Sequence, residues 1–168
     1  MIVRAMKPPR PGLLVGILTL AVLAVSVPGS LREARAHGAF YVFSTRFFED
    51  LPKRLAGPGR LRFVIQPAVA ILLGWKAGRA DAQAGRPAFL HRLFIRPGER
   101  AAAVAESIGS AGVLILMGIL LDSIFQWVLL GVSYPGAALV VGPVLITIPY
   151  VAARTMAGAF RSKAPAQT

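Results

Sequence analysis

The stretch SIGSAGVLILMGILLDSIFQWVLLGVSYPGAALVVGPVLITIPYVAA, residues 107–153, carries one formal charge, Asp122, in forty-seven residues. It is too long and too apolar for a single helix in a soluble core, and Gly131–Tyr134 breaks it once. The stretch therefore reads as a membrane hairpin of two antiparallel helices. A carboxylate in hydrocarbon costs roughly 2.5–3.5 kcal/mol on insertion scales, so Asp122 requires a reason to be there.

Outward from the hairpin the apolar character recurs in blocks. The chain has 168 residues, 55% of them hydrophobic, and a mean hydropathy of +0.64. The excess falls in Leu13–Val27, Leu61–Trp75, Ala111–Val132 and Gly136–Ala153, with nearly all charge between the blocks. Such alternation predicts an all-α integral membrane bundle of about four transmembrane helices plus interfacial amphipathic helices. Residues 1–29 are read as a basic segment and first membrane helix, 30–60 as a polar interfacial segment, 61–156 as a three-helix membrane region with a basic loop over 77–103, and 157–168 as a disordered polar tail.

Several details follow from local chemistry. Arg4, Lys7 and Arg10 precede the first block and Pro28-Gly29 is expected to stop it. This pattern fits an uncleaved anchor, and it also fits a signal peptide. Phe40, Phe43, Phe47 and Leu51 recur at three- and four-residue spacing, with Arg46, Glu49, Asp50 and Lys53 on other faces. That predicts an aromatic amphipathic helix, lying either in the head-group region or on the protein itself. Leu61–Trp75 is the weakest span, since Pro67 removes a backbone donor. If it crosses the bilayer, Lys76 and Arg79 snorkel and Ala77–Gln83 prolongs the helix toward Gly85 as its cap. Pro97-Gly98-Glu99 marks the start of a helix running to about Leu130, and the last span is expected to end at Arg154.

The formal charge of +12 does not indicate a nucleic-acid binder, because the basic residues flank apolar blocks and form no recognition motif. They fit the positive-inside bias and contact with anionic lipid head groups. The loop between the last two spans lacks Lys and Arg, whereas its flanks hold Arg86, Arg92, Arg96 and Arg100 on one side and Arg154, Arg161 and Lys163 on the other. Those flanks are read as cytoplasmic, giving a multi-pass protein of the bacterial inner membrane with a cytoplasmic C-terminus.

The chain has no cysteine, which excludes disulfides and thiolate sites. His37 and His91 stand alone, without a second metal ligand at helical spacing, so neither a metal nor a cofactor is expected. Phosphate loops, HExxH and nucleophile elbows are missing, and no catalytic residue is assigned. Glu49, Asp50 and Asp81 read as solvated loop charges, and Glu99 as a first-turn helix charge.

Phe63-Val64-Ile65-Gln66-Pro67, Gly78-Arg79-Ala80-Asp81-Ala82, Gly85-Arg86-Pro87, Leu121-Asp122 followed by Gln126, Tyr134-Pro135-Gly136 and Pro149-Tyr150 together resemble a family of small bacterial integral membrane proteins. The resemblance covers residues 60–155. The family has no established activity, so the resemblance implies an architecture and supplies no catalytic residues.

One ridge of the long helix collects Glu106, Ser110, Gly118, Asp122 and Gln126 at i, i+4 spacing, interrupted by Leu114. Small and polar residues on one stripe are what membrane helices use to approach and hydrogen-bond one another. Asp122 and Gln126, with Gln66 as a partner from another helix and Glu106 and Ser110 further along, form the candidate intramembrane polar site. The first reading is a structural or accessory subunit in which Asp122 makes a helix-packing hydrogen bond, within a homo-oligomer or a larger membrane complex. The alternative is a small oligomeric transporter or channel with Asp122 as a protonatable site; a helix shifted so that Asp122 snorkels to the surface is the third option.

Overall fold

The computed structural model describes residues 11–162, with side chains through 160. The basic residues Arg4, Lys7 and Arg10 and the tail residue Lys163 lie outside that range. Seven α-helices follow one another: α1 Pro11–His37, α2 Thr45–Glu49, α3 Leu51–Ala56, α4 Arg62–Gln83, α5 Phe89–Phe94, α6 Arg100–Leu130 and α7 Pro135–Ser162. Short 3-10 turns cover Tyr41–Phe43 and Pro97–Glu99, and no β-strand occurs among the described residues. Three helical stretches are long and apolar enough to cross a membrane: Pro11–His37, Pro97–Leu130 and Pro135–Phe160.

The core is a ridge from each of three helices. On α4 the buried positions are Arg62, Gln66, Ala70, Gly74, Gly78 and Asp81, nearly all four residues apart. On α7 they include Ala138, Gly142, Ile146, Tyr150, Arg154 and Gly158, and on α6 Gly118, Asp122 and Gln126. Each ridge combines small residues with polar ones, and the backbones close up where the glycines lie. A Cβ on Gly74 would run into the carbonyl of Tyr150, and one on Gly78 into that of Arg154. Across the other seam a Cβ on Gly142 would come 2.6 Å from the Ile119 nitrogen. Close approach through small residues lets helices gain dispersion contacts where no hydrophobic drive separates them from lipid.

These contacts set the directions. Gly74 meets Tyr150 and Gly78 meets Arg154, so α4 runs parallel to α7, while α6 returns antiparallel through the Gly118–Gly142 crossing. α1 lies parallel to α6: Gly12 faces Val113, Gly29 faces Val132, and Thr19 Oγ1 reaches the Leu116 carbonyl at 3.2 Å. The bundle thus has an Asp122 end and an Arg154 end, and α4 connects them. From Arg62 to Asp81 it rises roughly 28 Å, close to the ~30 Å hydrocarbon thickness.

Four expectations are corrected. The first helix does not stop at Pro28 but continues to His37 with Pro28 inside it. A proline deletes only one donor, and neighbouring groups re-satisfy freed carbonyls in packed apolar helices. The last helix runs past Arg154 to Ser162, so residues 157–162 are helix and not a disordered tail. The segment after α1 is not one amphipathic helix; it breaks into a 3-10 turn, α2 and α3, folded over the Asp122 end. Phe40 and Phe43 are exposed there, while Tyr41, Asp50 and Arg54 are buried. Finally, the region 77–103 is not a simple loop: α4 extends to Gln83, as expected of Ala77–Gln83, but α5 forms within the remainder and covers the Arg154 end.

Candidate functional site

Buried polar side chains concentrate at the two ends of the bundle. At the Asp122 end, α6 presents Asp122 and Gln126, α4 presents Arg62 and Gln66, and α3 adds Arg54; all five are buried. Arg62 Nη2 stands 2.6 Å from Asp122 Oδ1, and Arg54 Nη1 stands 3.6 Å from the same oxygen. The other oxygen, Oδ2, accepts a hydrogen bond from Gln126 Nε2 at 2.6 Å. Gln126 then accepts the Tyr134 backbone N–H at 2.8 Å. That last bond joins the end of α6 to the start of α7 across the Gly131 turn, whose φ of 73° suits glycine.

Aromatic rings line the same guanidinium groups. The Arg54 guanidinium lies 5.6 Å from the Tyr41 ring and 5.5 Å from the Phe47 ring; that of Arg62 lies 4.7 Å from Phe63 and 5.4 Å from Phe125. Ring quadrupoles attract cations at such distances. Tyr41 stacks on Tyr134 with centroids 3.9 Å apart and donates to Asp50 Oδ2 at 2.9 Å, while Lys53 reaches Asp50 Oδ1 at 2.7 Å. Burial alone would push the Asp50 carboxyl up, but the hydrogen bonds from Lys53 and Tyr41 outweigh it and hold the group below its ordinary value. Burial, joined by the Asp50 charge, raises the Tyr41 hydroxyl.

The Arg154 end is a denser network. Asp81 Oδ2 accepts from Arg154 Nε at 2.7 Å, and Asp81 Oδ1 stands 2.8 Å from Arg86 Nη2. Glu106 takes Arg86 at 2.9 Å, Arg92 at 3.1 Å and Arg154 at 2.8 Å. Arg92 Nε also donates to Glu99 at 3.0 Å. Arg154 Nη1 donates to Ser107 Oγ at 2.9 Å and to the Tyr150 hydroxyl, which shares a 2.6 Å hydrogen bond with Ser110. Phe89 of α5 covers the Arg154 guanidinium at 4.6 Å.

The residues expected to form one site therefore divide between two. Asp122 and Gln126 meet directly at one end; Glu106 and Ser110 belong to the other, with Gly118 at the helix crossing between them. Gln66 is buried near the first group, yet neither its amide oxygen nor its amide nitrogen has a hydrogen-bond partner, so it is not the partner of Asp122. That role belongs to Arg62. Two carboxylates read as solvated, Asp50 and Asp81, are buried. His37 and His91 are exposed, and no group of three His, Cys, Asp or Glu side chains able to hold a metal occurs among the described residues.

Several clefts flank the bundle, the roomiest of those described, about 580 Å³, beside Ser26, Arg32, Glu33 and Trp127. Another of about 330 Å³ is lined by residues including Glu33, His37, Tyr41, Arg46 and Tyr134. A third, of about 290 Å³, is mostly apolar and lies among Phe89, Ile108, Ile115, Tyr150 and Val151. Asp122 lines none of the three. What sequence reasoning missed were the arginine partners Arg54, Arg62, Arg92 and Arg154. The i, i+4 ridge of small and polar residues found on α6 recurs on α4 and α7, and following it there would have led to Arg62, Asp81 and Arg154. Comparison with family models, curated proteins and solved structures gives no match to this chain.

Proposed function

We propose that the chain is a four-pass membrane protein of the bacterial inner membrane, acting as a structural or accessory subunit that packs against a second copy or another subunit. The observation that carries this reading is the contrast between its helices. The ridges of α4, α6 and α7 close on one another at glycine, whereas only 11% of the apolar window of α1 is buried. A helix so lightly held offers most of its apolar circumference to lipid or to another helix. The family resemblance supports the same architecture.

The orientation follows from charge. Gly131–Tyr134 at the Asp122 end has no Lys or Arg, which favours that end outside and the Arg154 end, with the C-terminus, in the cytoplasm. Segment 38–61 then lies outside despite its basic residues, and the burial of Arg54 within the bundle lowers its exposed charge. Lys76, Arg79 and Arg96 are exposed near the Arg154 end and suit anionic head groups. The transporter alternative has less support: Asp122 is fully buried, paired with Arg62 and Gln126, and the helix backbones touch at Gly118–Gly142.

The test is purification of the tagged chain in mild detergent, with light scattering for its mass and mass spectrometry for companions. A homo-oligomer or a stoichiometric partner is expected, weakened by polar substitutions at the exposed Leu14 and Ile17 of α1. A monomer with no companion would overturn the subunit reading. Reporter fusions at Tyr134 and Lys53 check that both positions lie outside.

A further inference from the structure

We propose that the Asp122 end encloses a small inorganic anion of chloride size, held by Arg54, Arg62 and Gln66. The Arg54 side chain is 1% exposed, and none of its three guanidinium nitrogens has a hydrogen-bond acceptor. Its nearest carboxylate oxygen, Asp122 Oδ1 at 3.6 Å, is the oxygen that Arg62 already approaches to 2.6 Å. Arg62 keeps a second buried nitrogen, Nη1, without an acceptor, and one turn along the same ridge so does Gln66 Nε2. The hydroxyls of Ser123, beside Asp122, and Ser133, beside Tyr134, also lack partners.

The charges do not balance. Two buried guanidinium groups face one carboxylate. Arginine does not release its proton in a protein, so the imbalance cannot be removed by titration. Asp50 does not correct it, since its oxygens serve Tyr41 and Lys53. The rings of Tyr41 and Phe47 relieve Arg54 in part, but they accept no N–H along its plane. An uncompensated buried ion carries a heavy desolvation penalty, and an anion between Arg54, Arg62 and Gln66 would meet both the charge and the donors. Size follows from enclosure: as the side chains stand, the unpartnered atoms touch no water-sized space, so only a bare ion of halide size, seated by a small displacement of the Arg54 and Gln66 side chains, would fit, and a lipid phosphate has no exit for its chains.

The test is thermal unfolding of the full chain in detergent, followed by the fluorescence of Trp75 and Trp127, in sodium chloride and in sodium gluconate at equal ionic strength. A ligand that binds only the folded state raises stability with its concentration. Chloride is expected to raise the midpoint by several degrees and to saturate. Arg54→Gln removes the unbalanced charge and keeps the Arg62–Asp122 pair. Its midpoint in gluconate should equal or exceed that of the unsubstituted protein, with the response to chloride lost. Equal midpoints in the two salts for the unsubstituted protein, or an unchanged chloride response in Arg54→Gln, would overturn the proposal. So would a rise with phosphatidylglycerol micelles and none with chloride, which would assign the donors to a lipid phosphate. If Arg54→Gln does not fold, chloride-35 line broadening by the unsubstituted protein decides, and no broadening beyond that of empty micelles counts against the site. None of these outcomes depends on oligomeric state, so the subunit reading stands or falls separately.

Discussion

At the Arg154 end four arginines, Arg86, Arg92, Arg96 and Arg154, meet three carboxylates, Asp81, Glu99 and Glu106, and each guanidinium comes within 3.0 Å of at least one acid. At the Asp122 end two arginines share Asp122, and Arg54 comes no nearer to it than 3.6 Å. Both ends bury arginine against aromatic rings. The difference lies in where the acids come from: α4, α6 and the turn before α6 each deliver one to the Arg154 end, while α6 alone serves the other. A network with redundant acceptors tolerates the loss of one member; a single shared acceptor does not.

The largest expected effect tests that contrast directly. Asp122→Ala would leave Arg54 and Arg62 buried with no carboxylate, and breaking a buried pair in this way costs about 3–5 kcal/mol. Asp81→Ala leaves Arg86, Arg92 and Arg154 on Glu106 and should cost about 1–3 kcal/mol, nearer the loss of one charged hydrogen bond. Denaturant titration of both variants in the same detergent measures the two losses. Equal losses would mean that redundancy at the Arg154 end has no energetic weight.

How far this contrast was legible in the sequence depended on the neighbours of each residue. Asp122 stood out because everything around it is apolar, and Gln126 followed one turn later on the same face. Asp81 did not stand out: Lys76, Arg79 and Arg86 surround it, so it looked like a solvated loop charge. Its burial comes from α7, distant in the chain, and from α5, which folds back over it through a turn whose direction no local pattern marks. Arg54 was hidden for a similar reason, since the broken helices of segment 41–56 present no ridge from which an inward face could be read. The hairpin 107–153 and the reach of α6 from Arg100 to Leu130 were readable because length and apolarity are local properties. Pro28 misled because a Pro-Gly pair ends most helices in water, whereas α1 carries on through it.

The second prediction compares a hydrogen-bond bridge at each end. Among the described residues Gln126 alone ties Asp122 to the backbone of the α6–α7 turn, through bonds of 2.6 and 2.8 Å. Gln126→Leu leaves the Asp122 oxygen and the Tyr134 N–H without partners, for a loss of about 1–3 kcal/mol. Ser107→Ala at the other end removes one 2.9 Å acceptor of Arg154, but Asp81 and Glu106 still hold that guanidinium. Its cost should stay within about 0.5–1.5 kcal/mol. If Ser107→Ala proves the more damaging, the Arg154 network is cooperative and not redundant, and the comparison reverses.

The smallest effect concerns acid. Asp50 sits at the rim of the Asp122 end with its side chain 12% exposed, against Lys53 at 66%, so water screens the pair and its contribution is about 1 kcal/mol or less. Its carboxyl is held below the ordinary value in the folded chain. The stabilisation is therefore fully present above the unfolded-state value near 3.9 and fades as pH falls through the lower folded value. Asp50→Asn should lower the unfolding midpoint slightly at pH 7, and the gap from the unsubstituted protein should narrow toward pH 3. A gap that stays constant over that interval would mean that Asp50 acts through the shape of its hydrogen bonds to Tyr41 alone. The rim of the Asp122 end would then carry no charge-dependent stability, leaving Asp122 as the sole acid on which its arginines depend.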